Sequence, residues 1–236
     1  MTDCHGVPAA ETVILRTKTP LIALAGQPNV GKSTLFNQLT GLSQHVGNWP
    51  GKTVERREGT FAFDGRSYGI VDLPGTYSLT ANSPEEVIAR EFILRERPDA
   101  VIAVVNAANL ERSLYLVSEL VALPSPLLVV LNMMDVAQQE GLHIEAPVLE
   151  AALGVPVVPM TATRGAGMRD LLARLDPLLE RTAEYAPCLP EIRADHRLAL
   201  RQILDLTASY VPDPYPPEWV ALKLLEGDTE IHRTLE

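Results

Sequence analysis

Cysteine is scarce: the chain of 236 residues holds two, Cys4 and Cys188, far apart in sequence. Two distant thiols build neither a disulfide framework nor a four-ligand zinc site, so a reducing cytosol is the expected setting. Basic residues are outnumbered: 20 Lys and Arg against 30 Asp and Glu leave a net charge of −10, with a pI near 5.0. That balance argues against a nucleic-acid-coating surface and against a nucleic-acid partner. Long apolar runs are missing as well. "DAVIAVVNAANL" and "PLLVVLNMM" fall short of the about 20 residues a membrane-crossing helix needs, and they read as buried strands. The start "MTDCHGVPAAE" is polar and lacks an apolar core segment, so no secretory signal is expected. The chain has no internal repeat and no low-complexity tract.

What is there is an apolar content of 46%, enough for one sizeable core with room for a small second domain. Residues 1–17 carry no firm pattern and read as an N-terminal arm. His5 beside Cys4 is too small a set for a metal site. From Pro20 onward short apolar runs alternate with amphipathic segments, the signature of an α/β domain. "LIALA" (21–25) reads as the first strand and "KSTLFNQLTG" (32–41) as the helix after it. Asp64-Gly65 sits between two alternating runs in 59–73, which predicts a β-hairpin and hence one antiparallel strand in an otherwise parallel sheet. Ser83-Pro84-Glu85-Glu86 spells a helix start, with a capping hydroxyl, Pro in the first position and acids at the positive end of the dipole. Strands are expected at 99–105, 126–132 and 155–160, with helices near 109–122 and 167–182. Past Ala186 the strand pattern stops, and only helical pieces around 191–208 and 217–226 remain, broken by "VPDPYPP".

"GQPNVGKST" (26–34) follows the first strand and opens the first helix. It matches G-x-x-x-x-G-K-[ST] in the strand–turn–helix setting that the chemistry requires. Backbone N–H groups from Gly26 to Lys32 can form a nest for phosphate oxygens. Lys32 is placed to reach the β- and γ-phosphates and Ser33 to ligate Mg²⁺. Companion motifs choose the base. "DLPG" (72–75) closes a strand, so Asp72 can hold Mg²⁺ through water while Gly75 offers its N–H to a γ-phosphate. "NMMD" (132–135) ends another strand, and the Asp135 carboxylate can accept two hydrogen bonds from guanine that adenine cannot donate. "TAT" (161–163) follows the next strand, where a backbone N–H can meet the base oxygen. Each motif is weak alone; in this order, at successive strand ends, they describe a GTP site.

These motifs resemble the translation-factor class of small P-loop GTPases over roughly residues 18–182. "GNWPGKTVE", then "DLPGTYSL", then "EWVALKLLEGD" resemble, more narrowly, the FeoB family of bacterial ferrous iron transport proteins. That resemblance implies a GTP-binding domain over 18–182 and a small all-helical domain, likened to a dissociation inhibitor, over 183–236, shorter than is usual in the family. It implies a membrane permease in the same full-length protein, small Feo accessory proteins as partners, and a place on the cytoplasmic face of the bacterial inner membrane. A helical appendage can dock in cis or in trans, which leaves self-association open.

Carried over residue by residue, the resemblance puts nucleotide contacts on Gly26, Asn29, Val30, Gly31, Lys32, Ser33, Thr34, Asn132, Met133, Asp135, Thr161, Ala162 and Thr163. Mg²⁺ falls to Ser33, Thr53 and Asp72, with Thr53 inside a first switch loop at 46–59. Val30 stands where the family often has a small residue, Ser33 where it often has Thr, and Met133 agrees with the family pattern. "GQPNVGKST" also suits ribosome-assembly GTPases of the Era and Der kind, a reading that predicts a basic appended domain.

Catalysis is expected to rest on Asn29, Lys32, Thr53 and Gly75. Ras-like enzymes orient water with a Gln near this motif, but Thr76 follows Gly75 here, so unaided turnover should be slow, on the order of 10⁻⁴ s⁻¹. The resemblance implies K⁺ on Asn29 in the place of an arginine finger, offsetting charge on the leaving oxygen. Arg56 and Arg57 read as solvated charges and His45 as a surface histidine. Trp49 reads either as a cover for the nucleotide in the closed state or as a residue docked on the helical domain.

Overall fold

The computed structural model describes residues 19–181 and 185–235. Seven strands form one sheet: β1 (Leu21–Gly26), β2 (Gln44–Asn48), β3 (Glu55–Phe63), β4 (Arg66–Asp72), β5 (Ala100–Asn106), β6 (Leu127–Asn132) and β7 (Val157–Pro159). Their order across the sheet is β2-β3-β4-β1-β5-β6-β7. β1 pairs parallel with β4 and β5, and β5–β6 and β6–β7 are parallel too. β3 is antiparallel to both neighbours. It alone runs against the rest, as the Asp64-Gly65 turn predicts. β2 was not expected, because every one of its residues is exposed and it carries no apolar alternation. It is a strand because β3 offers a hydrogen-bonding edge, a tertiary reason rather than a local one. The segment read as a first switch loop is thus largely a hairpin.

Around the sheet lie α1 (Lys32–Thr40), α2 (Pro84–Glu96), α3 (Leu110–Leu120), α4 (Met134–Gln139), α5 (Ala146–Leu153) and α6 (Met168–Leu179). α7 (Ala194–Thr207), α8 (Pro217–Leu225) and α9 (Thr229–Thr234) follow. The expected helices all form, while the short α4, α5 and α9 add to them. Ser83 accepts the Glu86 N–H at 3.2 Å and caps α2 as its spelling predicts. The strands of the parallel part are buried on both faces, which is why they read as unbroken apolar runs. Ile102 and Val104 of β5 face one way, onto Leu35, Phe36 and Leu171 of α1 and α6. Val101, Ala103 and Val105 face the other way, into a second core with Ile93, Val117, Trp219 and Ile231.

α8 and α9 are tied to that second face by buried charges. Lys223, with no exposed surface, donates to Glu119, to Glu226 at 2.8 Å and to Thr80 Oγ1 at 3.2 Å. Arg90 meets Asp228 at 2.9 Å, and Asp228 also accepts the Ala81 N–H at 3.1 Å while capping α9. Burial raises the Glu119 carboxyl above its ordinary value even beside Lys223. For Lys223, burial pulls the other way, but Glu119 and Glu226 outweigh it and the ammonium is raised.

Candidate nucleotide site

β1 delivers the chain to a loop that α1 closes, and two glycines make the turn. At Gly31, φ is 89° and a Cβ would stand 2.3 Å from Asn132 Nδ2. At Gly26 a Cβ would lie 2.5 Å from the Val104 carbonyl oxygen. Asn29 also takes a left-handed backbone, φ 65°. A cleft of about 640 Å³ opens over this turn. Asn29, Gly31, Lys32, Ser33, Thr34 and Gly75 line one part of it; Asn132, Met133, Asp135, Thr161, Ala162 and Thr163 line the other. The ends of β1, β4, β6 and β7, spread over more than 100 residues of chain, therefore converge as the motif order predicts. Gly26 and Val30 do not line the cleft; Val30 is buried beneath the turn. Gln27, Pro28 and Val136 line it without having been singled out.

The charged end is self-neutralised. Lys32 Nζ sits 2.5 Å from Asp72 Oδ1 and 2.6 Å from the Leu73 carbonyl oxygen. Ser33 Oγ is 3.5 Å from the other Asp72 oxygen. The ammonium lies on the carboxylate at the end of β4, underneath the first turn of α1. Gly75 closes in on the turn from the far side, where a Cβ would come within 3.1 Å of Pro28 Cα. Thr76 is buried, and its N–H donates to the Gly26 carbonyl at 3.1 Å. It holds the DLPG turn to the end of β1. Thr53 stands apart: it is exposed and does not line the cleft.

At the other end Asn132 acts as a staple. Its Nδ2 donates to the Val30 carbonyl at 2.8 Å, and its Oδ1 accepts the Ala162 N–H at 2.9 Å. Gln38 of α1 donates to the Ala162 carbonyl from below, and Thr161 N–H bonds to Ala166 O at 3.0 Å. The 161–163 loop is thereby held to α1 and β6. Gln27 donates to the Arg112 carbonyl at 2.6 Å, fixing the phosphate turn to α3. Neither Gln38 nor Gln27 carries a sequence signal, since their partners lie 124 and 85 residues away. Asp135, in the first turn of α4, keeps a quarter of its side chain exposed at the cleft mouth, with Arg164 at 3.7 Å.

Trp49 is seated on α2 of the G domain. It is buried, its ring meets Phe92 of α2 at 5.5 Å, edge to face, and Arg56 lies over it at 4.7 Å. Arg57 pairs with Glu55, and His45 is exposed, as expected. Among the described residues no group of three or more His, Cys, Asp or Glu is placed to hold a metal. Cys4 and His5, with the arm they sit in, lie outside the described residues. Among those described, no helix is long and apolar enough to cross a membrane.

A family model for ferrous iron transport protein B matches residues 20–175. The chain belongs to the FeoB family. It is 43% identical over 214 residues to the Fe(2+) transporter FeoB of Shigella flexneri, covering 88% of this chain and 27% of that protein. The chain thus spans about a quarter of the length of such relatives. Among solved structures, a mutant of S. thermophilus NFeoB bound to mGDP superposes with a TM-score of 0.83 at 38% identity, covering 92% of this chain and 82% of that one. The GMPPNP form of the cytosolic domain of T. maritima FeoB gives 0.82 at 33% identity, covering 92% and 85%. The fold is that of the FeoB G domain, a mostly parallel P-loop sheet of the translation-factor class. The match favours FeoB over ribosome-assembly GTPases, and the acidic tail agrees, since that alternative predicts a basic one.

Proposed function

We propose that this chain is a GTP-binding switch that hydrolyses GTP slowly in the presence of Mg²⁺ and serves ferrous iron uptake by a longer protein. The observation that carries it is the convergence of Lys32, Gly75, Asp135 and the 161–163 loop on one cleft. Asp135 reads the ring N–H and exocyclic amine of guanine, and the Ala162 stretch meets the base oxygen. Lys32 leaves Asp72 and Leu73 for the β- and γ-phosphate oxygens, helped by N–H groups of the turn. Gly75 gives its N–H to the γ-phosphate. Water adds to the γ-phosphorus, the bond to the β–γ bridging oxygen breaks, and GDP and phosphate leave.

Ser33 and Asp72 are hard oxygen donors brought within 3.5 Å of each other, a fit for Mg²⁺, which is usually held by one or two carboxylates together with substrate phosphates and waters. Ser33 and Thr53 are the proposed direct ligands, with Asp72 behind a water. Asn29 lines the cleft at the turn and is the proposed K⁺ ligand. When bound, the two cations supply charge to offset that developing on the phosphate oxygens. Proposed partners are a membrane permease carried by the same full-length protein and small Feo accessory proteins, at the cytoplasmic face of the inner membrane. The helical part over 183–236 is proposed as a dissociation-inhibitor-like domain.

The test is GTP turnover by this chain with Mg²⁺ in matched KCl and NaCl, beside Asn29→Ala. Faster turnover in KCl, lost in the variant, is the expected result. Equal rates in the two salts would remove Asn29 and K⁺ from the mechanism; no turnover in either would sink the hydrolase reading.

A further inference from the structure

From Gly41 to Thr53 every residue but one is exposed, and the exception is Trp49 at 7%. A single large ring buried from an otherwise solvated segment is an anchor. Its seat is Phe92, met edge-on at 5.5 Å and 78°, a geometry that pairs the positive ring edge with the negative face. The Arg56 guanidinium lies 4.7 Å over the indole, adding cation–π attraction, and Glu58 holds Arg56 in turn.

The anchor fixes more than itself. Trp49 N–H donates to the Val54 carbonyl at 2.9 Å, and Lys52 N–H donates to the Trp49 carbonyl at 3.0 Å. Thr53 therefore rides in a short turn closed at its base by the Trp49–Val54 bond. That turn sits outside the cleft holding Ser33 and Gly75. Thr53 cannot cross to Ser33 unless the turn is carried inward with Trp49 or broken open.

We infer that Trp49 is a positioning residue: seated on Phe92, it holds Thr53 away from the nucleotide, and the triphosphate state requires the seat to be vacated. This rests on the proposed Mg²⁺ role of Thr53 and on the GTP reading above. The seat is poised for exchange, because the Trp49 indole N–H is buried without a hydrogen-bond partner. Water regained on leaving offsets part of the lost packing. A diphosphate has no γ-phosphate for the loop to close on, so the seated state suits GDP. Apparent affinity for a triphosphate is then divided by the fraction of chains already unseated.

The chain has two tryptophans, Trp49 and Trp219, so Trp49→Phe supplies the emission of Trp219 alone as background. With Mg²⁺ present, GMPPNP should red-shift the Trp49 emission as the indole enters water, and GDP should not. Phe92→Ala, which removes the seat, should tighten GMPPNP binding on the order of tenfold with GDP affinity unchanged. Arg56→Gln, on the exposed side, should act in the same direction but less, and Trp49→Phe should stay near wild type. Circular dichroism of each variant separates lost folding from lost seating. GMPPNP binding without change in Trp49 emission overturns the inference while leaving the GTP reading standing, as does an equal shift in GDP and GMPPNP affinity. A wild-type chain that binds neither nucleotide overturns both.

Discussion

Asn132 ties the glycine turn before α1 to the 161–163 loop: its amide donates to Val30 O at 2.8 Å and its oxygen accepts the Ala162 N–H at 2.9 Å. One Nδ2 N–H and the Oδ1 are committed to backbone, and Asn132 also lines the cleft. The turn before α1 and the 161–163 loop are thus held at one spacing. Asn132→Ala would leave a buried carbonyl and a buried N–H unpaired, at about 1–3 kcal/mol each. Nucleotide affinity should fall at least tenfold, for GDP as much as for GTP, in a titration with a fluorescent guanine nucleotide.

Asp135 should decide the base. In Asp135→Asn one acceptor becomes a donor, which opposes the guanine amine but suits the carbonyl that xanthine carries there. Guanine nucleotide affinity should drop by about 100-fold or more, since a mismatched buried hydrogen bond discriminates steeply. Xanthine nucleotide should gain. Competition between the two nucleotides, in the wild type and the variant, measures the exchange.

Lys223 is expected to matter for stability. Lys223→Met leaves Glu119 buried without its counter-charge, a loss of about 3–5 kcal/mol for a broken buried pair. Lys223→Met combined with Glu119→Gln should recover part of it. Urea unfolding of the two variants and the wild type decides, and a Lys223→Met midpoint equal to wild type would remove the cluster from the account.

Tyr68 predicts an alkaline limit. Burial first, then its hydrogen bond to Asp176, pushes the hydroxyl from its ordinary value of 10 to about 12. The folded state favours the neutral phenol, so the contribution is complete below pH 10 and is lost as pH rises toward 12. In Tyr68→Phe that part of the loss should vanish, which thermal unfolding across the same pH range detects.

Much of this was legible in local spelling. The glycine turn ending in Lys32-Ser33, the Asp64-Gly65 hairpin and the Ser83-Pro84 start of α2 each act through backbone a few residues away. The buried strands announce themselves as apolar runs because both faces are covered. The order of "DLPG", "NMMD" and "TAT" along alternating strands was enough to place twelve of the expected residues on one cleft.

Other features had no local signature. β2 is a polar stretch that becomes a strand because β3 is there to pair with it. Trp49 meets Phe92, more than 40 residues on. Asn132 proved to be a staple because Val30 and Ala162 arrive on either side of it. Lys223 found Glu119 from 104 residues away. The sequence by itself determined the turns, the caps, the buried strands and the chemistry assembled at the strand ends, since these depend on neighbours in the chain. Only the tertiary structure decided which side chains hold the loops still, because a hydrogen bond or a ring contact is set by distance in space, and no periodicity in the chain encodes it.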